Sequence, residues 1–386
     1  MEKGRIMAYI KVENLKYRYP NTTKLALDGL DFEIEKGSFV GIVGENGAGK
    51  STLCQAFNGL VPGFFKGAYG GKVLIEDTEV AKTTVSKLCQ KVGLVFQNPF
   101  NQLSGAKETV FEEIAFGLQN FGVPKEEMIS RVDEVMELLD IAAYRDRNPF
   151  DLSGGQMQRV ALAGILAMKP EVIVLDEPTS YLDIKYKLEF LSILQRLKRQ
   201  KNLTVIMSLH ELDMAKRVSD HIMCIDGRYV DRYGTPEEVF TDQYVSGLFG
   251  ITAGSFDETG EDLELEKPDG RARIFVIAGG GLGRKSFRSL QRKGIPFATG
   301  IIYENDLDYP AAKALSAEIV SARSFEPVDD ALIEKAKELI DACEGVICDR
   351  TEFGTYEQFN SRLYEYAVST GKIIKIPFLE EQLAQL

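Results

Sequence analysis

Short apolar runs alternate with stretches of helical period from residue 9 to about residue 249. The runs at residues 39–43 and 172–175 are continuously apolar, and residues 203–207 are apolar except for Thr204, which is typical of strands buried on both faces of a parallel sheet. Residues with apolar side chains three and four positions apart lie between the runs and indicate helices. This alternation predicts an α/β domain over residues 1–250.

The composition changes at residues 254–270, which are rich in acidic residues, glycine and proline and carry no sustained apolar period. We expect an exposed acidic linker over residues 251–270. A second, smaller α/β domain, Rossmann-like and with a parallel sheet, is predicted over residues 271–386. Its predicted strands are residues 273–278, 296–302, 345–348 and 372–376, and its predicted helices are residues 285–293, 311–320, 329–342 and 356–369.

Composition narrows the class of protein. Of 386 residues, 44% are hydrophobic and 27% charged, which is typical of a globular protein. The longest apolar runs are much shorter than the roughly 20 residues of a membrane-spanning helix, and the first residues lack the pattern of a signal peptide. We therefore expect a protein on the cytoplasmic side that does not cross a membrane. The net charge of −12 argues against a nucleic-acid partner.

A glycine-rich loop follows the apolar run at residues 39–43 and precedes a helical run at residues 53–60. The loop reads G-x-x-x-x-G-K-S, the phosphate-binding pattern, in the strand–loop–helix context that the pattern requires. Backbone N–H groups would wrap the phosphates, Lys50 would reach the β- and γ-phosphates, and the Ser51 hydroxyl would ligate Mg²⁺. The predicted nucleotide-binding residues here are Gly44, Glu45, Asn46, Gly47, Ala48, Gly49, Lys50, Ser51 and Thr52.

Two carboxylates end the apolar run at residues 172–175. In a nucleotide hydrolase, Asp176 would hold Mg²⁺ and Glu177 would polarise the attacking water, although two acids at a strand end are also compatible with a solvated turn. His210 follows the next apolar run, where an imidazole can bond a γ-phosphate or have a structural role. We predict Glu177 and His210 as catalytic residues.

A second candidate phosphate site is the segment LSGGQMQR at residues 152–159. A Ser-Gly-Gly turn that opens a helix lets N–H groups converge at a positive helix end. This turn has no lysine, so its pattern leaves open which phosphate it would contact.

Six motifs occur in order over residues 8 to about 240: GENGAGKST, FQNP, LSGGQMQR, VIVLDEP, SYLD and the turn at His210. Together they resemble the nucleotide-binding subunits of ABC transporters. The resemblance implies an ATPase that uses ATP and Mg²⁺. It also implies a RecA-like core, an antiparallel β subdomain and an inserted helical subdomain at about residues 100–165.

The resemblance also implies roles for residues that contact the nucleotide bound by the same chain. Tyr19 would stack on adenine, with Tyr17 as the alternative and a packed strand aromatic as the other interpretation. Gln97 would reach Mg²⁺ and the attacking water, as a catalytic residue and metal ligand; an amide at this place can also cap a turn.

The resemblance also implies a dimer. The LSGGQMQR turn would face the γ-phosphate bound by a second ATP-binding subunit, identical or different, with Ser153 as helix N-cap. The residues assigned to this contact are Ser153, Gly154, Gly155 and Gln156. Asp183 would link the two sites or act only as an N-cap. Tyr181 occupies a position that is usually small in the family.

Shorter phrases are similar to the ATPases of energy-coupling factor transporters, which import vitamins and metal ions. These phrases are residues 58–67, residues 96–102 and residues 109–117. The similarity implies a transmembrane coupling protein as partner and, indirectly, a membrane substrate-binding protein. Phe100, Leu103 and Phe111 would seat a helix of the membrane partner or belong to the core of the helical subdomain.

Two alternatives differ in class. Soluble ABC ATPases act in DNA repair or translation, but they carry a long coiled-coil insertion or two cassettes, and neither pattern is visible. In the other alternative, a regulatory or ligand-sensing C-terminal domain controls the ATPase.

Gly279–Gly283 follow a predicted strand and indicate an anion site or tight strand–helix packing. Asn305–Asp308 would bond a polar ligand or form a solvated turn.

Overall fold

The computed structural model describes residues 8–180, 182–226, 228–241, 244–250, 255–257, 262–348, 350 and 352–374. The chain separates into two compact units, residues 1–241 and 242–386. The division falls earlier than the predicted boundary at residue 250. Within the described residues, no helix combines the length and apolar character needed to cross a bilayer.

The first unit contains two sheets. Their strands are β1 Ala8–Arg18, β2 Leu27–Glu35, β3 Phe39–Gly44, β4 Ala68–Ile75, β5 Thr78–Glu79, β6 Val92–Val95, β7 Val172–Leu175, β8 Thr204–Ser208, β9 His221–Asp226 and β10 Tyr229–Gly234. One sheet is antiparallel, in the order β2-β1-β4-β5. The other has the order β10-β9-β3-β8-β7-β6, in which β10 is antiparallel and the remaining strands are parallel.

The burial of the strands explains their sequence patterns. Every residue of β3, β7 and β8 is buried, as the continuous apolar runs predict, whereas β1 alternates buried and exposed residues over much of its length. Side chains from both sheets, including Ile10, Leu30, Val40 and Val174, belong to one hydrophobic cluster. The two sheets therefore share a core, and the carboxyl ends of the parallel strands meet at one edge.

Three helices form the inserted subdomain. The helices of the first unit are α1 Lys50–Phe57, α2 Leu60–Gly63, α3 Val85–Leu88, α4 Val110–Asn120, α5 Lys125–Leu138, α6 Gly154–Ala167, α7 Ile184–Lys201, α8 Leu212–Val218 and α9 Pro236–Val239. Helices α4, α5 and α6 pack against one another and lie between β6 and β7 in the chain. Helix α6 begins within the LSGGQMQR motif and is the last helix before β7.

The second unit is a four-stranded parallel sheet with helices on both faces. Its elements are α10 Tyr244–Leu248, β11 Ser255–Asp257, β12 Asp262–Glu264, β13 Ile274–Ile277, α11 Arg284–Arg292, β14 Phe297–Tyr303, α12 Tyr309–Leu315, β15 Glu318–Ala322, α13 Asp330–Ala342, β16 Gly345–Cys348 and α14 Gln358–Ser369. The strand order is β15-β14-β13-β16. Alternate residues of β13 enter two separate hydrophobic clusters, one with α11 and α12 and one with α13 and α14. This is the expected Rossmann-like arrangement.

Three predictions for this half differ from the structure. The predicted linker contains the antiparallel pair β11 and β12, and its Glu264 is buried and paired with Arg288. The predicted helix over residues 311–320 ends at Leu315, and β15 begins at Glu318, because the β-branched pair Ile319 and Val320 favours a strand. Of the predicted strand at residues 372–376, only an isolated bridge at Ile373 is present, and residues 375–376 lie outside the described residues.

Candidate active site

The phosphate-loop glycines adopt a backbone conformation that other residues avoid. Gly44, Gly47 and Gly49 have φ values of 150°, 82° and 100°. A β-carbon on Gly44 would lie 2.2 Å from the carbonyl oxygen of Ile225, and one on Gly49 would lie 2.5 Å from that of Ala26. The loop can therefore follow this path between β3 and α1 only with glycine at these two positions.

Lys50 begins α1 and is 4% exposed. Its Nζ donates to the carbonyl oxygens of Gly44 at 2.9 Å and Glu45 at 3.1 Å, and it lies 3.7 Å from Oε1 of Glu177. A buried ammonium group needs such partners, because leaving it unpaired costs several kcal/mol (on the order of 5). The Lys50 ammonium group therefore lies inside the phosphate loop, beside the end of β7.

Ser51 and Asp176 meet directly. The Ser51 hydroxyl donates to Oδ1 of Asp176 at 3.0 Å, and the Ser208 hydroxyl donates to the same oxygen at 2.9 Å. Burial raises the pKa of the Asp176 carboxyl, and the two hydroxyl bonds oppose that rise. A hydroxyl and a carboxylate oxygen side by side form the hard oxygen donor set that Mg²⁺ prefers, so these residues fit that ion.

Glu177 is the centre of a second group. Its Oε2 accepts a bond from Nε2 of Gln97 at 2.7 Å, and its Oε1 lies 2.6 Å from Nε2 of His210. Its backbone has φ 46°, in the left-handed region that is uncommon for a residue with a side chain. The structure therefore brings the three predicted catalytic residues together, with Gln97 and His210 at the carboxylate of Glu177, at the ends of β6, β7 and β8.

The two candidate aromatic residues separate by burial. Tyr17 is fully buried, and its hydroxyl donates to the carbonyl oxygen of Phe65 at 2.8 Å. Tyr19 is partly buried, and its hydroxyl lies 3.1 Å from Oγ1 of Thr52 in α1. Of the two rings, only that of Tyr19 is therefore partly exposed, and it lies beside the helix that follows the phosphate loop.

The LSGGQMQR turn caps α6. Ser153 is the N-cap: its hydroxyl accepts from the Gln156 amide at 3.4 Å, and its own amide donates to Oε1 of Gln156 at 3.0 Å. Ser153 is exposed, and Gly154 and Gly155 are partly so. Among the hydrogen bonds of the described residues, none joins these residues to the phosphate loop of the same chain.

Asp183 caps α7. Its Oδ1 accepts a hydrogen bond from the backbone amide of Tyr186 at 3.1 Å. In the single chain, Asp183 therefore acts as the N-cap of α7. Tyr181 lies outside the described residues.

Comparisons with known proteins agree with this geometry. A family model described as ABC transporter matches residues 27–180. An energy-coupling factor transporter ATP-binding protein of Lacticaseibacillus paracasei is 44% identical over 60% of this chain and 81% of the relative. A putative ABC transporter ATP-binding protein of Pyrococcus abyssi is 39% identical over 67% of this chain and 91% of the relative.

The chain belongs to the ABC transporter ATP-binding protein family.

Solved structures give the fold of this ABC ATPase. The structure of cbiO1 from Clostridium perfringens, part of the ABC transporter complex cbiONQ, is 34% identical with a TM-score of 0.55 over 62% of this chain and 92% of that one. The dimeric cassette MJ0796 bound to ADP and Pi is 27% identical with a TM-score of 0.52 over 59% of this chain and 98% of that one. The recognised ABC ATPase fold is thus confirmed for the first unit. A further model, the MJ0874 family, matches residues 297–384 of the second.

Sequence reasoning missed one residue of the ATPase site. Ser208, fully buried at the end of β8, donates to Asp176 and accepts a bond from the Glu177 amide at 2.9 Å. It therefore links the side chain of Asp176 to the backbone of Glu177. A signal was present in the sequence, because Ser208 is a polar residue that directly follows the apolar run ending at Met207 and lies two residues before His210.

The proposed membrane-facing residues divide between surface and interior. Phe100 is 52% exposed and stacks on Phe150, with ring centroids 6.5 Å apart. The Arg145 guanidinium covers the ring of Phe111 at 4.0 Å. Leu103 lines a cleft of about 210 Å³ between α4 and α6, together with Gly164. Phe100 and the cleft are therefore available to a partner, whereas Phe111 is largely packed within the subdomain.

The second glycine loop, between β13 and α11, is capped by the chain's own carboxylates. The amides of Gly279 and Gly283 both donate to Oδ2 of Asp308 at 2.9 Å, and the Gly280 amide donates to Oδ2 of Asp306 at 2.8 Å. Asp308 is fully buried. The aspartates thus take the N–H groups that an anion would need. The anion-site interpretation of this loop, and the ligand interpretation of Asp306 and Asp308, are wrong for this conformation.

Ser208→Ala tests the link between the two carboxylates. We expect the free energy of unfolding to fall by about 1–3 kcal/mol, because the buried amide of Glu177 loses its acceptor. We also expect ATP turnover to fall roughly tenfold as both carboxylates lose their orientation. Chemical denaturation and a phosphate-release assay measure the two effects. Ser192→Ala, at an exposed serine of α7, is the control; equal stability of the two variants would contradict the assignment.

Hydrogen exchange tests the capped loop. Adding inorganic phosphate or ADP should slow amide exchange at residues 44–52 and leave residues 279–284 unchanged, because the latter amides are already bonded to carboxylates. Mass spectrometry of the full-length protein gives both readings in one experiment, with the phosphate loop as internal control. Protection of residues 279–284 by either anion would show that the aspartates do not block the loop.

Proposed function

We propose that this ABC ATPase supplies the energy for an importer of the energy-coupling factor type that carries a vitamin or metal ion. Two subunits, identical or different, would enclose two ATP molecules. The observation that carries the ATPase part is the Glu177 carboxylate, held by Gln97 and His210 beside Lys50. The names of its relatives as energy-coupling factor ATP-binding proteins support the transport part.

The chemistry follows from the groups around the phosphate loop. Lys50 and the loop amides would neutralise the β- and γ-phosphates, and Tyr19 would stack on the base. Ser51, Gln97 and Asp176 would hold Mg²⁺, which would supply positive charge to stabilise the phosphates. Glu177 would accept the proton of the attacking water, while His210 and Gln97 orient the carboxylate and the γ-phosphate.

The dimer proposal rests on the exposed cap of α6. An N-cap serine followed by two glycines leaves helix amides at a positive helix end, where a phosphate is stabilised. In the single chain these residues make no described bond to the phosphate loop, so a second subunit would supply the ATP that Ser153, Gly154, Gly155 and Gln156 contact. Asp183 would then lie close to the same junction. The dimeric form of MJ0796 supports this arrangement.

A membrane location follows from the proposed partners. A helix of a transmembrane coupling protein would enter the cleft beside the Gln97 loop, with Phe100 at its rim, and a membrane substrate-binding protein would join indirectly. The ATPase would lie on the cytoplasmic face of the membrane.

The soluble alternative gains no support from the described helices, because the longest of them, α7, has 18 residues and is too short for a long coiled-coil arm.

The second unit would regulate the ATPase. Exposed apolar side chains project from all four loops at the carboxyl edge of its sheet: Leu282, Leu307, Phe325 and Tyr356. Such edges are where open parallel sheets bind ligands. Because Asp306 and Asp308 cap the loop amides, the ligand would be neutral or cationic rather than a phosphate.

Glu177→Gln tests the dimeric ATPase. Turnover should fall at least roughly 100-fold because the proton acceptor is lost, while ATP binding persists and traps a closed dimer. Phosphate release and size-exclusion chromatography with ATP measure this. Glu137→Gln, at an exposed position of α5, is the control and should behave as the unmodified protein. Unchanged turnover in Glu177→Gln would rule out the assigned base.

Gly164→Leu tests the membrane partner. The leucine side chain would fill the cleft between α4 and α6, where a β-carbon on Gly164 would have no atom within 4 Å. We expect basal ATPase activity to remain and the co-purified integral membrane protein to be lost from detergent-solubilised membranes. Gly164→Ala, which leaves most of the cleft open, should retain it. Recovery of ribosomes or DNA by the unmodified protein would instead favour the soluble class.

A further inference from the structure

Gln158 is a buried amide with neither of its polar atoms bonded. The residue lies on α6 and is 0% exposed. Within the part of the chain that the structure describes, its Nε2 and Oε1 have no hydrogen-bond partner. Buried side-chain polar groups are bonded in the large majority of cases, so an amide with two unpaired atoms requires an explanation.

The neighbouring side chain shows that polar groups on this helix can be satisfied. Arg159 is also buried, yet it donates to the carbonyl oxygen of Leu139 at 3.2 Å and pairs with Glu189. Burial on α6 therefore does not by itself leave a polar side chain without partners.

That face lies against the sheet and its catalytic loops. Helical spacing places Gln158 on the same side of α6 as Gly155 and Ile165. A β-carbon on Gly155 would lie 3.0 Å from Leu182, and one on Gly93 of β6 would lie 2.1 Å from Ile165. Leu182 precedes Asp183, and β6 leads to Gln97. Gln158 thus lies at the interface between α6 and the segments that lead to Gln97 and Asp183, and we call this interface the seam.

We propose that Gln158 is a positioning residue for ATP hydrolysis. Its amide bonds to backbone groups of the seam only when α6 shifts against the sheet as two subunits close on ATP. The unpaired amide raises the free energy of the arrangement described here, and its pairing lowers that of the closed one, so the residue biases the chain toward closure. This inference rests on the proposed dimer for its closing step, but the unpaired amide is a property of the single chain.

Gln158→Met separates these effects, because methionine keeps nearly the same volume and has no amide. The nucleotide-free full-length protein should unfold at a temperature higher by about 2–4 °C, since the unpaired groups are removed. At saturating ATP, kcat should fall about five- to tenfold with little change in KM, because one bond of the closed state is lost and Gln158 is not placed at the nucleotide. Calorimetry and steady-state phosphate release measure these quantities.

Leu162→Met is the matched control, as an apolar exchange at another fully buried position of α6. It should leave both Tm and kcat close to those of the unmodified protein. In the background of Glu177→Gln, Gln158→Met should also reduce the fraction of dimer that ATP traps.

Two outcomes would overturn the inference. A lower Tm, or failure of Gln158→Met to fold, would mean that the amide has partners; a higher Tm with unchanged kcat would mean that its burial plays no part in the cycle. If Glu177→Gln alone does not dimerise with ATP, the dimer proposal fails, and the Tm of Gln158→Met still decides whether the amide is unpaired.

Discussion

The site depends on the burial of a carboxylate next to an ammonium group. Glu177 and Lys50 are each less than 10% exposed and lie 3.7 Å apart. Neither charge could be buried alone, because desolvation costs several kcal/mol (on the order of 5) per ion and must be offset by close partners. Gln97 and His210 complete the shell of Glu177 from two other strand ends. The strand order β3-β8-β7-β6 is what places these groups at one edge.

The chemical groups of this edge could be predicted from the sequence because each belongs to a short segment with a local physical signature. The phosphate loop needs glycines at positive φ, and Gly44 and Gly49 have them. The strands β3, β7 and β8 are buried on both faces and therefore consist mainly of apolar residues, without alternation of polar and apolar positions. Since parallel strands align their carboxyl ends, residues that follow these runs converge without any knowledge of the register.

The parts that could not be predicted depend on contacts between distant segments. Ser208 acquires its role only because β8 lies beside β7, which lets one hydroxyl reach Asp176 and the Glu177 amide. Strand β15 follows helix α12 after two residues, and the alanine-rich sequence before it hid the boundary. Gln158 is similar: its helical pattern predicts burial or exposure of a face, but no local pattern predicts that its amide is left unpaired.

The two glycine loops show why the surroundings decide the chemistry. Both connect a buried parallel strand to a helix, and both contain several glycines at positive φ. In the first, the residue that starts the helix is Lys50, whose ammonium group adds positive charge to the loop. In the second, Asp306 and Asp308 arrive from the loop after β14 and occupy the amides as an anion would. The same local conformation would therefore serve as a phosphate site in one unit, whereas in the other unit carboxylates from the loop after a neighbouring strand already accept the N–H groups.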